Sequence, residues 1–96
     1  MNETQARLTT PNGAKYAQQL CKHFAHKITA TFADGHGECR FDAGTAVLDA
    51  DSDGLTITVS ASEAAGMERL QGVIESHLQR FAFREQLAAF QWDRIR

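Results

Sequence analysis

The sequence predicts a two-layer α+β sandwich in which two amphipathic helices cover one face of a four-stranded antiparallel meander sheet. Three observations predict this class. Apolar residues near both ends of the chain recur with the period of a helix, whereas those in the middle alternate with the period of a strand. The turns between the alternating segments are too short to join parallel strands. The predicted element order is therefore α-β-β-β-β-α.

The first helix is predicted over residues 11–26. Thr10 and Pro11 form a typical helix start, because the threonine oxygen accepts an unpaired N–H and proline has none to lose. One face of this helix is apolar and the opposite face carries lysines. The apolar face consists of Ala17, Leu20, Cys21, Phe24 and Ile28.

Four strands are predicted in the middle of the chain, near residues 27–32, 38–42, 45–50 and 55–59. The acidic segment before the last strand, residues 49–54, matches the first half of a calcium loop. Its twelfth position is Ser60, which cannot supply the bidentate carboxylate that such a loop needs. We therefore interpret the segment as a hairpin turn.

The second helix is predicted to begin at a capping box formed by Ser60 and Glu63 and to reach Arg80. Its apolar stripe faces the sheet. The tail over residues 87–92 is a candidate fifth strand.

Length and composition describe one domain over residues 9–96, preceded by a flexible tail over residues 1–8. The chain has 96 residues, of which 43% are apolar and 23% charged, which supports one core. Neither a spanning segment nor a secretory h-region is found, so we expect a cytoplasmic protein without a membrane partner. The net charge of −2 offers no general attraction to nucleic acid.

Six soft-ligand side chains are the first candidates for chemistry: Cys21, His23, His26, His36, Cys39 and His77. Zinc or ferrous iron binds three or four nitrogen and sulfur ligands. Periodicity directs Cys21, Cys39 and His77 toward the core, which makes them the more coherent metal set. The alternatives are two thiols packed as small core residues and a thiol with redox or nucleophilic chemistry. A disulfide is not expected in the reducing cytosol.

His77 interrupts the apolar stripe of the second helix, where an unpaired imidazole would cost about 1 to 3 kcal/mol. A partner is therefore required. Either His77 lines a pocket or binds a metal, or it bonds Ser76, a backbone carbonyl or an acidic side chain of the sheet.

A second candidate site is cationic. If the end of the second helix lies beside the first, their basic residues form a patch with Phe81 and Phe83. Such a patch suits a phosphate, a carboxylate-bearing siderophore or single-stranded nucleic acid. With His77 as an inner anchor, the predicted ligand-binding residues are His23, His26, Lys27, His77, Arg80 and Arg84. The alternative is a solvated helix face.

Three segments carry a family resemblance: residues 20–27, 37–41 and 76–85. Together with the Thr10-Pro11 start and the acidic turn before Gly54, they resemble the bacterial domain-of-unknown-function family 2218 over residues 6–92. The resemblance implies a small bacterial protein, in some members with a siderophore or iron-acquisition context. It implies no activity and no catalytic residues.

Three functions follow as hypotheses. The favoured one is a binding or accessory protein that takes a small anion or siderophore in iron handling. The second is a metal-binding or thiol-redox protein using Cys21, Cys39 and His77, with iron or zinc as the metal. The third is a structural module that forms a homodimer through a sheet edge or its aromatic tail. No enzyme class is indicated, and no catalytic residue is assigned.

Overall fold

In the computed structural model, which describes residues 2–96, two helices pack against one face of a six-stranded sheet. The elements in chain order are β1 (Asn2–Thr9), α1 (Gly13–Phe24), β2 (Thr29–Ala33), β3 (His36–Phe41), β4 (Gly44–Ala50), β5 (Gly54–Ala61), α2 (Ala64–Phe81) and β6 (Asp93–Arg94). Every neighbouring pair of strands is antiparallel, in the order β2-β3-β4-β5-β1-β6. Neither helix among these residues combines the length and the apolar composition needed to cross a membrane.

The α+β class and the meander from β2 to β5 are as predicted, but the sheet has six strands instead of four. The expected flexible tail is wrong over residues 2–8, which belong to β1 and pair with β5 along their whole length; residue 1 lies outside the described residues. Thr4 and Ala6 point inward in this strand, and both are buried. Because these side chains are small or polar, the segment has little apolar periodicity and the sequence does not predict the strand.

α1 begins two residues later than predicted, and the capping box predicted for α2 does not form. The Thr10 hydroxyl accepts the backbone N–H of Asn12 at 3.1 Å and so closes a turn before α1, which begins at Gly13. Ser60 remains in β5, and its hydroxyl donates to the Glu3 carboxylate at 2.9 Å instead of capping α2. Thr10 therefore accepts a backbone N–H as predicted, but in a turn before the helix, whereas a contact across the sheet replaces the cap predicted at Ser60.

The predicted fifth strand over residues 87–92 is also wrong, because this segment has no regular structure and the last strand is β6. A carboxylate of α2 holds the segment in place. Glu75 accepts the backbone N–H of Phe90 at 3.2 Å and the indole N–H of Trp92 at 3.1 Å. A contact between distant segments leaves no periodic signal in the sequence.

The core lies between the helices and the inner face of the sheet. Its fully buried large side chains come from both layers, and most are aliphatic: Leu20, Leu48, Leu55, Ile57, Val59, Ile74 and Leu78. Burial of each stabilises the fold by about 1.5 to 3 kcal/mol. The alternate residues of the strands form an outer face that no helix covers in the described chain.

Candidate functional site

An open groove of about 380 Å³ lies where the end of α1, the middle of α2 and the β3–β4 turn meet. We call it the helix groove. Its wall is apolar and is formed by Phe24, Ile28, Phe41, Leu70 and Val73. A patch of this kind that remains open to solvent is a common mark of a binding surface.

Three charged side chains stand at the rim of the helix groove: Lys27, Arg69 and Asp42. All three are exposed. None of them forms a salt bridge within 4.0 Å to another residue of 2–96. The rim therefore carries two cations against one carboxylate, and both cations are available to an incoming anion.

Local structure fixes the groove wall and one of its cations. Phe24 ends α1 and Phe41 ends β3, and their rings meet edge to face with centroids 5.1 Å apart. The backbone N–H of Lys27 donates to the carbonyl of Phe24 at 3.0 Å, which closes the turn after the helix and places Lys27 beside that ring. The end of α1 thus supplies both an aromatic surface and a positive charge.

His77 packs behind the groove wall. Its Nδ1 donates to the backbone carbonyl of Val73 at 2.7 Å, and its ring lies 5.0 Å from Phe24 and 4.9 Å from His23, centroid to centroid. The side chain is half-buried. A carbonyl of its own helix therefore supplies the partner that the sequence required, and Nε2 carries no proton in the neutral ring.

Apart from the adjacent His23 and His77, the predicted ligand residues do not gather into one site. His23 is exposed and packs on Phe81, while His26 and Arg80 are exposed without an assigned partner in the described chain. Arg84 lies 5.5 Å above the Phe83 ring and lines a separate groove of about 320 Å³, the terminal groove. The terminal groove is lined by Lys15, Tyr16, Gln19, Phe81, Phe83 and Arg84. Of the six predicted residues, Lys27 alone lies in the helix groove.

Cys21 and Cys39 are brought together in the core, with 3.7 Å between their Sγ atoms. The hydrogen bond from Cys39 lowers the pKa of the Cys21 thiol, and that same bond together with burial raises the pKa of Cys39. His77 does not join them: no group of three or more metal-ligating side chains is arranged for an ion among residues 2–96. Within these residues the predicted trio is a pair of thiols.

The acidic segment before β5 forms the predicted hairpin turn. The Asp51 carboxylate accepts the backbone N–H groups of Asp53 at 2.8 Å and Gly54 at 2.9 Å, and it binds Arg7 at 2.9 Å. These bonds occupy the carboxylate that a calcium ion would need.

Sequence reasoning missed Arg69, Asp42 and Phe41 as parts of a site. Arg69 could have been found from its position, because it is a cation at the margin of the apolar stripe that contains Leu70 and Val73. Asp42 and Phe41 are placed by the β3–β4 turn, whose approach to α2 is a property of the assembled layers.

These features define a small two-layer α+β protein with solvent-open grooves between its helices and the rim of its sheet. The chain belongs to the family described as uncharacterised protein conserved in bacteria (DUF2218), whose model matches residues 5–93, and the predicted resemblance is thereby confirmed. Its fold is similar to the NMR structure of PA4090 from Pseudomonas aeruginosa, with a TM-score of 0.83 and 27% identity over 97% of this chain and 96% of that chain. No curated protein is similar to the chain.

Proposed function

We propose that this protein is a small binding module for an anionic ligand with an apolar body, which lies in the helix groove. One observation carries the proposal: Lys27 and Arg69 are both free of salt bridges to residues 2–96 and flank an apolar wall. The guanidinium of Arg69 suits bidentate contact with a carboxylate or a similar oxyanion, and Lys27 adds a mobile point charge.

The groove favours ligands that carry both kinds of surface. Apolar contact with Phe24 and Phe41 supplies area-dependent binding energy, about 25 cal/mol for each Å² removed from water. Asp42 offers an acceptor for a hydroxyl or amine on the same ligand. A siderophore with anionic aromatic groups fits this description, so the iron-handling role suggested by the family resemblance remains part of the proposal.

The terminal groove is the weaker site for an anion. It also has two cations and aromatic rings, but the hydroxyl of Tyr16 donates to the carboxylate of Glu85. The guanidinium of this groove is also already engaged, since Arg84 lies 5.5 Å above the Phe83 ring. The helix groove is therefore the site that the experiment addresses first.

The proposal predicts a charge-selective response to two fluorescent probes. Anilinonaphthalene sulfonate is an anion with an aromatic body, and phenylnaphthylamine has the same body without the charge. The double variant Lys27→Gln/Arg69→Gln should bind the sulfonate at least about tenfold more weakly, because it loses two charge-assisted contacts. Its affinity for the neutral probe should stay within about twofold. Fluorescence titration of both probes measures this difference.

Two single variants serve as matched controls. Lys22→Gln removes an exposed charge of α1 outside both grooves, and Arg84→Gln removes one from the terminal groove. Both should bind the sulfonate as the wild type does. A larger loss for Arg84→Gln, or no loss for the double variant, contradicts the assignment to the helix groove. Failure of ferric dihydroxybenzoate to displace the sulfonate would separately contradict the siderophore part.

A second candidate function is thiol redox, favoured by the 3.7 Å between the Sγ atoms of Cys21 and Cys39. A disulfide needs about 2.05 Å, so the two sulfur atoms would have to move closer by side-chain rotation or by a shift of α1 against β3. The thiols are already closely packed: a Cβ added at Gly37 would lie 2.7 Å from the sulfur of Cys21. Both cysteines are also buried, which opposes attack by an external oxidant.

We expect burial to dominate the chemistry of this pair. Both thiols should react with the aromatic disulfide dithiobis(nitrobenzoate) at least about tenfold more slowly in the folded protein than in urea. The reason is that the folded core must open locally before the reagent can reach either sulfur. Absorbance of the released thiolate follows both rates. Rapid reaction of one thiol in the folded protein, followed by closure of an intramolecular disulfide, would favour the redox function instead.

A further inference from the structure

The free edge of β2 lacks the features that usually protect an edge strand. β2 is an outer strand in the order β2-β3-β4-β5-β1-β6, and its residues, Thr29–Ala33, include neither a charge nor a proline. Edge strands commonly carry such residues, since their unpaired backbone groups otherwise bind another strand. The opposite edge is different, because β6 has two residues and both are charged.

The hairpin turn after β2 shows which backbone groups face β3. Asp34 and Gly35 both have positive φ, 52° and 79°, as in a two-residue type I′ turn. Such a turn is closed by a hydrogen-bonded pair, here Ala33 and His36. The pair next to it, Phe32 and Gly37, is consequently not hydrogen-bonded.

The same alternation continues along β2. Thr31 bonds to β3, whereas the N–H and C=O groups of Ala30 and Phe32 point away from β3 toward the open edge. Before Ala30 the next outward N–H belongs to Ile28, and it is not open, because it already donates to the carbonyl of Phe24 at 3.0 Å. β2 thus presents two donors and two acceptors in a row.

We propose that a second copy of this chain pairs with that edge, its β2 antiparallel to the first across a two-fold axis at Thr31. In this register Ala30 of each copy lies opposite Phe32 of the other, which gives two residue pairs across the interface. Each pair exchanges two N–H···O=C bonds, so the dimer gains four backbone hydrogen bonds. A register centred on Ala30 would instead place Phe32 opposite Ile28, whose N–H is already bonded. The Thr31 register is the one that satisfies all the open groups.

Charge complementarity supports a second copy as the partner. Lys27 precedes β2 and Asp34 follows it, and both are exposed without a salt bridge to residues 2–96. Antiparallel pairing brings the cationic end of each strand to the acidic end of the other, twice in the dimer. An isologous contact of this kind uses the β2 edge of both copies, so it closes as a dimer and leaves only the charged β6 edges unpaired.

Thr31→Lys tests the interface directly. Thr31 is exposed on the outer face, so lysine is tolerated in one chain, but two lysines would face each other on the two-fold axis. Wild-type protein should approach twice the chain mass of 10.6 kDa in sedimentation equilibrium as concentration rises. The variant should need at least about tenfold higher concentration to do so. Thr9→Lys, an exposed threonine of β1, is the matched control and should dimerise as the wild type does.

Amide exchange supplies the second measurement. The N–H groups of Ala30 and Phe32 should exchange at least about tenfold more slowly at high than at low concentration of the wild type, and this difference should vanish in Thr31→Lys. A wild type that remains monomeric at millimolar concentration overturns the proposal. So does a dimer of Thr31→Lys with unchanged affinity, or one that protects other amides. Lys27 also lines the helix groove, so these measurements are made without a ligand and test the dimer separately from the proposed function.

Discussion

Leu48→Ala is expected to lower the free energy of unfolding by about 2 to 5 kcal/mol, because it leaves a cavity in the centre of the core. Leu48 is fully buried on the inner face of β4. Its neighbours across the strands are Ile57 on one side and Gly37 on the other. Gly37 has no side chain that could fill the space, and the backbone of a central strand cannot collapse into it.

Thermal unfolding measures this loss. For a chain of this length each kcal/mol corresponds to about 4 to 8 °C in Tm, so the melting temperature should fall by roughly 10 °C or more. Val47→Ala is the matched control, since Val47 comes directly before Leu48 in β4, points to the outer face and is half-buried. It should cost about 1 kcal/mol or less. Equal losses in the two variants would contradict the placement of both helices on the face that holds Leu48.

The strands that were predicted correctly are those whose evidence is local. In β4 and β5 the buried residues alternate with exposed or half-buried ones, so the strand period can be read from the segment itself. β1 and β6 depend on pairing with distant segments. Thr4 is buried because it lies opposite Val59 of β5, and its hydroxyl contacts Met67 of α2. No feature near Thr4 in the sequence indicates that environment.

The candidate site was predicted less completely for the same reason. Periodicity correctly put the two cysteines on core-facing positions. It could not show that the β3–β4 turn brings Asp42 to the rim that Arg69 shares. Nor could it separate Arg84 from Lys27, because the distance between two grooves depends on how the helices cross the sheet.

Glu85→Ala is the second substitution with a large expected effect, because the Glu85 carboxylate joins the end of α2 to the start of α1. It accepts the hydroxyl of Thr10 at 2.7 Å, the side-chain amide of Asn12 at 3.0 Å and the hydroxyl of Tyr16. Thr10 and Tyr16 are buried, so removal of the carboxylate leaves two buried donors unpaired. We expect a loss of about 2 to 3 kcal/mol.

The pH dependence of this loss identifies the charge as its source. The hydrogen bond from Tyr16, followed by those from Asn12 and Thr10, holds the pKa of Glu85 below its ordinary value of 4.5. A carboxylate whose pKa is lower in the folded state stabilises fully above the unfolded pKa, and this contribution disappears as pH falls through the folded pKa. The stability gap between wild type and Glu85→Gln should therefore be largest near neutral pH and shrink below about pH 4.5.

Urea unfolding of both proteins at neutral and acidic pH measures that gap. Glu68→Gln supplies the matched control, because Glu68 is exposed on α2 and accepts no side-chain hydrogen bond from the described residues. The difference in free energy of unfolding between Glu68→Gln and the wild type should be small, and it should not change with pH in the range where Glu85 is protonated. A Glu85→Gln gap that stays constant with pH would mean that packing at this junction stabilises the protein and the charge does not. The end of α2 would then be held to α1 by packing and by hydrogen bonds that a neutral side chain can also accept, and the negative charge would have no role in fixing how the two helices meet.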